Sequence, residues 1–297
     1  MTMINRLIYT LHRVLGTVLC LFALSVIPVR GESFVNDSLK VDGTWRQFTM
    51  FLPDGLQKDA PLVFVLHGYG GGIVRENPMT SAARKHGFAL CIPQGLKDPK
   101  NKNSWNVGYP FQEGWKQNDV KALCRLARYV QKRYALSKVN TFLSGMSNGG
   151  EMCYLMAYSK QNTFKAVAPI AGLTMEWFYH NLDAKRPIPL LEIHGTEDRT
   201  SEWTGDLDNK GGWGAYMPVP VAIGYWVSKN RCTHEITERV ESLKGKDGHE
   251  VIKHRFTGSP SGSDVWLYEV VGAGHSWHTD DLDTGEEVWQ FFSKYIE

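Results

Sequence analysis

The sequence predicts an α/β fold, a mostly parallel central sheet with helices on both faces. Three observations carry that prediction. Short runs of strand character recur along the chain and alternate with segments of helical period. The runs are continuously apolar rather than alternating, which is the pattern of strands covered on both faces. Several of them end on glycine-containing turns that hold serine, acid or histidine, at the sheet edge where open α/β folds place their ligands.

The elements follow in chain order. Arg46 to Leu52 reads as a strand stopped by the turn Pro53-Asp54-Gly55. Pro61 to His67 and Gly87 to Pro93 are two further apolar runs. Asp119 to Tyr134 carries apolar residues at helical spacing and charge on the opposite face. Val139 to Ser144 reads as strand and Asn148 to Ser159 as helix; Phe164 to Ala171 and Ile188 to His194 read as strands. Val219 to Lys229 has helical period, Asp264 to Val271 is strand-like, and Glu286 to Tyr295 is a closing helix. The longest irregular stretch is 196–217, TEDRTSEWTGDLDNKGGWGAYM, rich in glycine and tryptophan.

Bulk properties narrow the function classes. A chain of 297 residues with 42% hydrophobic and 22% charged residues is ordinary globular material. Its formal net charge of +2 gives no reason to expect a nucleic-acid partner. Ten tryptophans is a high count, divided between core packing and sites for rings or sugars. Arg6, His12 and Arg13 precede the uncharged run Val14 to Val29, which is short for a bilayer span of about 20 residues. This pattern reads as a signal peptide, 1–31, followed by a single domain, 32–297, of a secreted or periplasmic protein with no stable membrane insertion after cleavage. Four cysteines then remain, Cys91, Cys124, Cys153 and Cys232, whose pairing the sequence does not choose. Cys124 falls on an apolar helical stripe and reads as a buried thiol, as does Cys153. The spacings lack C-x-x-C pairs, so no metal centre is expected.

The informative residues are those just after the apolar runs. After 61–66 comes His67-Gly68-Tyr69-Gly70-Gly71; after 139–144 comes Ser147, between Gly145 and Gly149. After 188–193 come His194-Gly195-Thr196-Glu197-Asp198, and after 264–271 comes Gly274-His275-Ser276-Trp277. Serine, acid and histidine in that chain order is the order of the α/β-hydrolase fold. A serine hydroxyl is a weak nucleophile until a base takes its proton, histidine can do so near neutral pH, and a buried carboxylate orients the imidazole. The glycines allow a sharp strand-to-helix turn with strand and helix packed closely. The candidate catalytic residues are therefore Ser147, Asp198 and His275, with the backbone N–H groups of Asn148 and Tyr69 as candidate oxyanion donors. Glu197, and further on Asp206 and Asp208, compete with Asp198, and His278 with His275; His67 and His194, each before a glycine, read as turn-shaping residues.

The segments LHGYGGG (66–72), SWNVG (104–108), GMSNGGEM (145–152), APIAG (168–172), HGTED (194–198), YWVSKNRC (225–232) and GAGHSW (272–277) resemble the esterase family of polyhydroxybutyrate-depolymerase-like enzymes and bacterial feruloyl esterases. The match runs from about Gly43 to the C-terminus, and GMSNGG and GAGHSW carry most of it. The resemblance implies an α/β-hydrolase fold, carboxylic ester hydrolysis without a cofactor, and the roles given above for Ser147, Asp198 and His275. The 199–217 segment is longer than the family pattern. Export, the resemblance and the nearby aromatics Tyr69, Trp105, Trp203, Trp213 and Trp277 lead to a feruloyl ester on plant polysaccharide as the expected substrate, with Trp105 and Trp277 as candidate substrate-binding residues. Acetyl-xylan or short acyl esters, and hydroxybutyrate polyesters, are the alternatives within the class. A serine peptidase and a non-catalytic carbohydrate-binding protein lie outside it.

Overall fold

A computed structural model describes residues 31–297. Its elements are β1 (Ser33–Val41), β2 (Thr44–Leu52), β3 (Leu62–Leu66), α1 (Pro78–His86), β4 (Ala89–Pro93), β5 (Leu96–Lys97), β6 (Asn103–Ser104), α2 (Asp119–Arg133), β7 (Thr141–Met146), α3 (Asn148–Tyr158), β8 (Ala166–Ile170), α4 (Glu176–Asn181), β9 (Leu190–Gly195), α5 (Val219–Asn230), β10 (His234–Glu241), β11 (Glu250–Thr257), β12 (Val265–Val271) and α6 (Thr284–Ser293). Apart from the small β5–β6 pair, the strands form one 10-stranded sheet in the order β1-β2-β4-β3-β7-β8-β9-β12-β11-β10. The run from β4 to β12 is parallel throughout. The pairs at both flanks are antiparallel.

The continuous apolar runs have a direct structural cause. Along β3, Leu62, Phe64 and Leu66 enter one core, and Val63 and Val65 the other. Successive side chains point to opposite faces, and here each face is covered. Leu123 of α2, Met152 of α3 and Trp226 of α5 pack in the first core, Met79 of α1 and Phe292 of α6 in the second. Helices therefore cover both faces of a largely parallel sheet, which is the α/β-hydrolase architecture.

Three strands of the main sheet, the small β5–β6 pair and two helices, α1 and α4, escape the sequence pattern. β1 and β10 are the sheet's two edges. β10, HEITERVE, is exposed over almost its whole length, and its charges guard an edge that would otherwise pair with another chain. β11 pairs with it and buries mainly Val251, Ile252 and Lys253. α1 is only nine residues long; its boundaries come from local chemistry, with Asn77 capping the Met79 N–H at 3.0 Å and Gly87 closing it at φ 72°.

The predicted signal peptide lies outside the described residues apart from Gly31. Among the described residues no helix is long and apolar enough to cross a membrane. Cys91, Cys124, Cys153 and Cys232 are all free thiols, and the first three are buried.

Candidate active site

The chain runs from β3 outward to β4 and later returns to place β7 on the other side of β3. The carboxyl ends of β3 and β7 thus flank the point where the strand order reverses, the usual ligand crevice of an open α/β sheet. Ser147 sits there, on the turn between β7 and α3, with φ 57° and ψ −125°. That conformation is costly for a residue with a Cβ, and it holds only because its surroundings enforce it. Ser147 N–H donates to Ile170 O at 2.9 Å and Ser147 O accepts from Glu151 N–H at 2.9 Å. A Cβ on Gly145 would lie 2.6 Å from Gly149 O, and one on Gly149 2.6 Å from Leu66 O. The two glycines are there because strand and helix approach too closely for any side chain.

The glycine-rich loop after β3 comes up against this turn: the Cβ position of Gly68 lies 3.2 Å from Ser147 Cβ. His67 shapes the loop. Its Nε2 accepts from Gly95 N–H at 2.9 Å, so its Nδ1 donates to Gly68 O at 2.7 Å. Burial pushes its pKa down, outweighing that bond. Neither the Tyr69 nor the Asn148 backbone N–H takes a partner among the described residues. The Asn148 side chain instead braces the 104–109 loop, accepting from Trp105 N–H at 2.7 Å and donating to Trp105 O at 3.2 Å and to the Tyr109 hydroxyl at 3.2 Å. Tyr109 also bonds to Glu151, which burial pushes up to about 8.

Asp198 and His275 meet across the ends of β9 and β12, neighbouring parallel strands. His275 Nδ1 is 2.6 Å from Asp198 Oδ2. A carboxylate only accepts, so Nδ1 carries the proton and Nε2 is left free to act as a base. Asp198 Oδ1 accepts from Thr200 N–H at 2.7 Å and Ser201 N–H at 2.8 Å. Burial pushes this carboxyl up, but His275 and the two N–H groups outweigh burial and hold it below its ordinary value. The hydrogen bonds of the His275 ring end at Asp198 and none reaches Ser147; such contacts often tighten only around substrate. Of the rivals, Glu197 forms no hydrogen bond with His275, whose ring is bonded to Asp198. His278 is 1% exposed, and burial, reinforced by the charge of His194, pushes it down to about 4.

The two aromatic candidates separate. Trp277 is half-buried and lines a cavity of about 370 Å³ with His67, Gly68 and Gly71, beside the glycine loop. Trp105 corrects the expectation of a substrate-binding side chain: it is 1% exposed, and its indole N–H donates to His67 O at 2.9 Å. It buttresses the loop through that bond and through its packing against the His67 ring, 5.1 Å away. The rings that do gather beside the crevice are Tyr69, Tyr109, Phe111 and Trp213. Trp213 lies 5.3 Å from both tyrosine rings, and Phe111 lies 5.5 Å from Tyr69. Lys100 Nζ sits 4.0 Å from the Phe111 centroid. The long 199–217 segment delivers Trp213, pinned by Gly211 N–H to Asp206 and Gly214 N–H to Asn209. A larger cleft, about 720 Å³, lies away from the candidate triad, between α2 and the C-terminal end of α3.

Phe111, Glu192 and Glu151 escape sequence reasoning. The first lies in a single 3-10 turn, Pro110–Gln112, too short to show a period. The two acids do leave a signal, a carboxyl inside an apolar strand (LLEIHG) and inside an apolar helix (NGGEMCYLMAY), since unpaired carboxyls are seldom buried.

With this geometry in view, the likenesses to known proteins take on meaning. The profile of the prolyl oligopeptidase family matches residues 81–205, a span that includes Ser147 and Asp198. The chain is 22% identical over 266 residues to a bifunctional acetylxylan esterase/xylanase of Neocallimastix patriciarum, covering 88% of this chain and 35% of that protein. It is 25% identical over 283 residues to feruloyl esterase D of Neurospora crassa, covering 86% and 84% of the two. Among solved structures, an acetyl xylan esterase from Aspergillus awamori superimposes with TM-score 0.60 at 15% identity, over 88% of this chain and 99% of that one. The chain thus spans about a third of the first relative's length. The structural likeness establishes the α/β-hydrolase fold.

Proposed function

We propose that this protein is an exported serine hydrolase of carboxylic esters, acting on feruloyl esters of plant polysaccharide. The observation that carries the reading is the strained Ser147 on a glycine-walled turn at the switch point, with the Asp198–His275 pair at the same sheet edge. Ser147 Oγ attacks the ester carbonyl carbon as His275 Nε2 takes its proton. Asp198 keeps Nδ1 protonated and stabilises the imidazolium. The N–H groups of Tyr69 and Asn148 receive the oxyanion; one such donor is worth about 3–4 kcal/mol of barrier. The imidazolium returns its proton to the leaving alcohol, and water, deprotonated by His275, releases the acid and restores Ser147.

Names of relatives support the ester class: acetylxylan esterase, feruloyl esterase and poly(3-hydroxyalkanoate) depolymerase. The half-exposed rings of Tyr69, Phe111 and Trp213 favour an aromatic acyl group, which they would contact edge-on and face-on. The test is turnover of methyl ferulate, an acetylated xylan and a hydroxybutyrate oligomer by the mature chain and by Ser147→Ala. Ferulate hydrolysis that vanishes in a folded Ser147→Ala variant is expected. Residual activity in that variant would end the serine mechanism, and indifference to the cinnamoyl group would end the substrate assignment. The prolyl oligopeptidase match makes a peptide amide the necessary negative control.

A further inference from the structure

Two buried ionisable side chains lie behind the proposed triad and take no part in its chemistry. Glu192 and His194 are each 0% exposed. Two residues apart on β9, they point to the same face of the sheet. His194 Nδ1 lies 2.7 Å from Glu192 Oε1, and His194 Nε2 lies 2.7 Å from Ser201 O. A carbonyl oxygen only accepts, so Nε2 carries a proton, and a second proton is held between Nδ1 and the Glu192 carboxyl. Nε2 is also 3.8 Å from Asp198 Oδ2. Glu192 Oε1 further accepts from Gly172 N–H at 3.1 Å, which ties in the turn after β8.

The geometry makes His194 the underside of the acid loop. Ser201 is gripped twice: its carbonyl by His194 and its N–H by Asp198. A pair buried this deeply is a poor source of net stability, because desolvation offsets the attraction. Its value lies in fixing one arrangement. We propose that His194, oriented by Glu192, is a positioning residue for hydrolysis: it fastens the 198–201 loop so that Asp198 meets His275 Nδ1 at hydrogen-bonding distance. The inference rests on the triad reading above. The groups facing this pair are Glu151, Cys153 and Tyr154 from α3, Asp198 from its own loop, and His278 from the turn after β12; the Trp203 ring lies 6.0 Å from the imidazole.

The experiment compares wild type, His194→Gln and the double variant Glu192→Gln/His194→Gln, which leaves no unpaired buried carboxylate. Readouts are kcat and KM on a soluble ester, the pH profile of kcat/KM, melting temperature, and the far-downfield proton resonance of the His275–Asp198 hydrogen bond. A folded His194→Gln protein should lose about 100-fold in kcat, the scale of a small misplacement of a catalytic group. Its KM should hardly change, its acid limb should move, and the downfield resonance should broaden or vanish. The double variant should regain melting temperature but not kcat, and it supplies the same readouts should the single variant fail to fold. Wild-type kcat, acid limb and resonance in either folded variant would overturn the proposal. If instead Ser147→Ala retains activity, the triad reading itself falls, while the resonance still reports whether His194 orders the Asp198–His275 contact.

Discussion

The two halves of the candidate site are held by different physics. On the serine side, position comes from backbone sterics. Ser147 is forced to φ 57° by a turn with no room for a Cβ at Gly145 or Gly149, and the braces around it run through amide and hydroxyl groups of Asn148, Trp105 and Tyr109. On the acid side, position comes from ionisable groups. Asp198 is gripped by His275 and two N–H groups and backed by the Glu192–His194 pair. The nucleophile must sit at one point in space, which close packing can define. A base must keep one tautomer and accept a charge, which a nearby carboxylate arranges.

The comparison can be broken in several places. The largest effect is expected from Asp198→Asn, which keeps shape but allows the wrong imidazole tautomer; kcat should fall by about 10⁴ with the fold intact, measured by steady-state kinetics beside a melting curve. A fall of only a few-fold would move the orienting role to another acid. Next, Gly149→Ala drives a methyl to 2.6 Å from Leu66 O and should cost up to about 3 kcal/mol in chemical denaturation. Unchanged stability there would show that the serine turn is not sterically set.

Glu151 tests whether the serine-side braces are neutral. In the folded chain it keeps its proton up to about 8, against an ordinary 4.5. Its contribution to stability is full below the ordinary value and is lost as pH rises through the folded one. The wild-type melting temperature should therefore decline between pH ~5 and ~8.5 more steeply than that of Glu151→Gln. Parallel curves would mean that this carboxyl is already ionised and that the two halves do not differ as described. The smallest effect is the control. Gly224, inside α5, has nothing within 4 Å of its Cβ position, so Gly224→Ala should stabilise by about 0.5–1 kcal/mol, opposite in sign to Gly149→Ala.

The parallel strands and the principal helices were legible because burial on both faces writes itself into composition: LVFVL, ALCIP and AVAPI can hardly be anything else. The edge strands were not, because β1 and β10 bury too little to need an apolar run. Ser147, Asp198 and His275 could be named as candidates from residue type, order and flanking glycines, all of which are local. Trp105 was misjudged because an indole reads the same in sequence whether it faces substrate or floors a loop.

What the sequence by itself determined is the set of local necessities: where strands are covered, where a turn must be glycine, and which side chains are able to carry acyl-transfer chemistry. What only the tertiary structure decided is which of these meet. The 2.6 Å contact of Asp198 with His275, the Trp213 ring brought onto Tyr69, and Glu192 and His194 set beneath the acid loop all join residues through strand order and long connections. Periodicity reports on which side of an element a residue lies. It carries no information about which other element stands opposite, because that depends on the path of the whole chain.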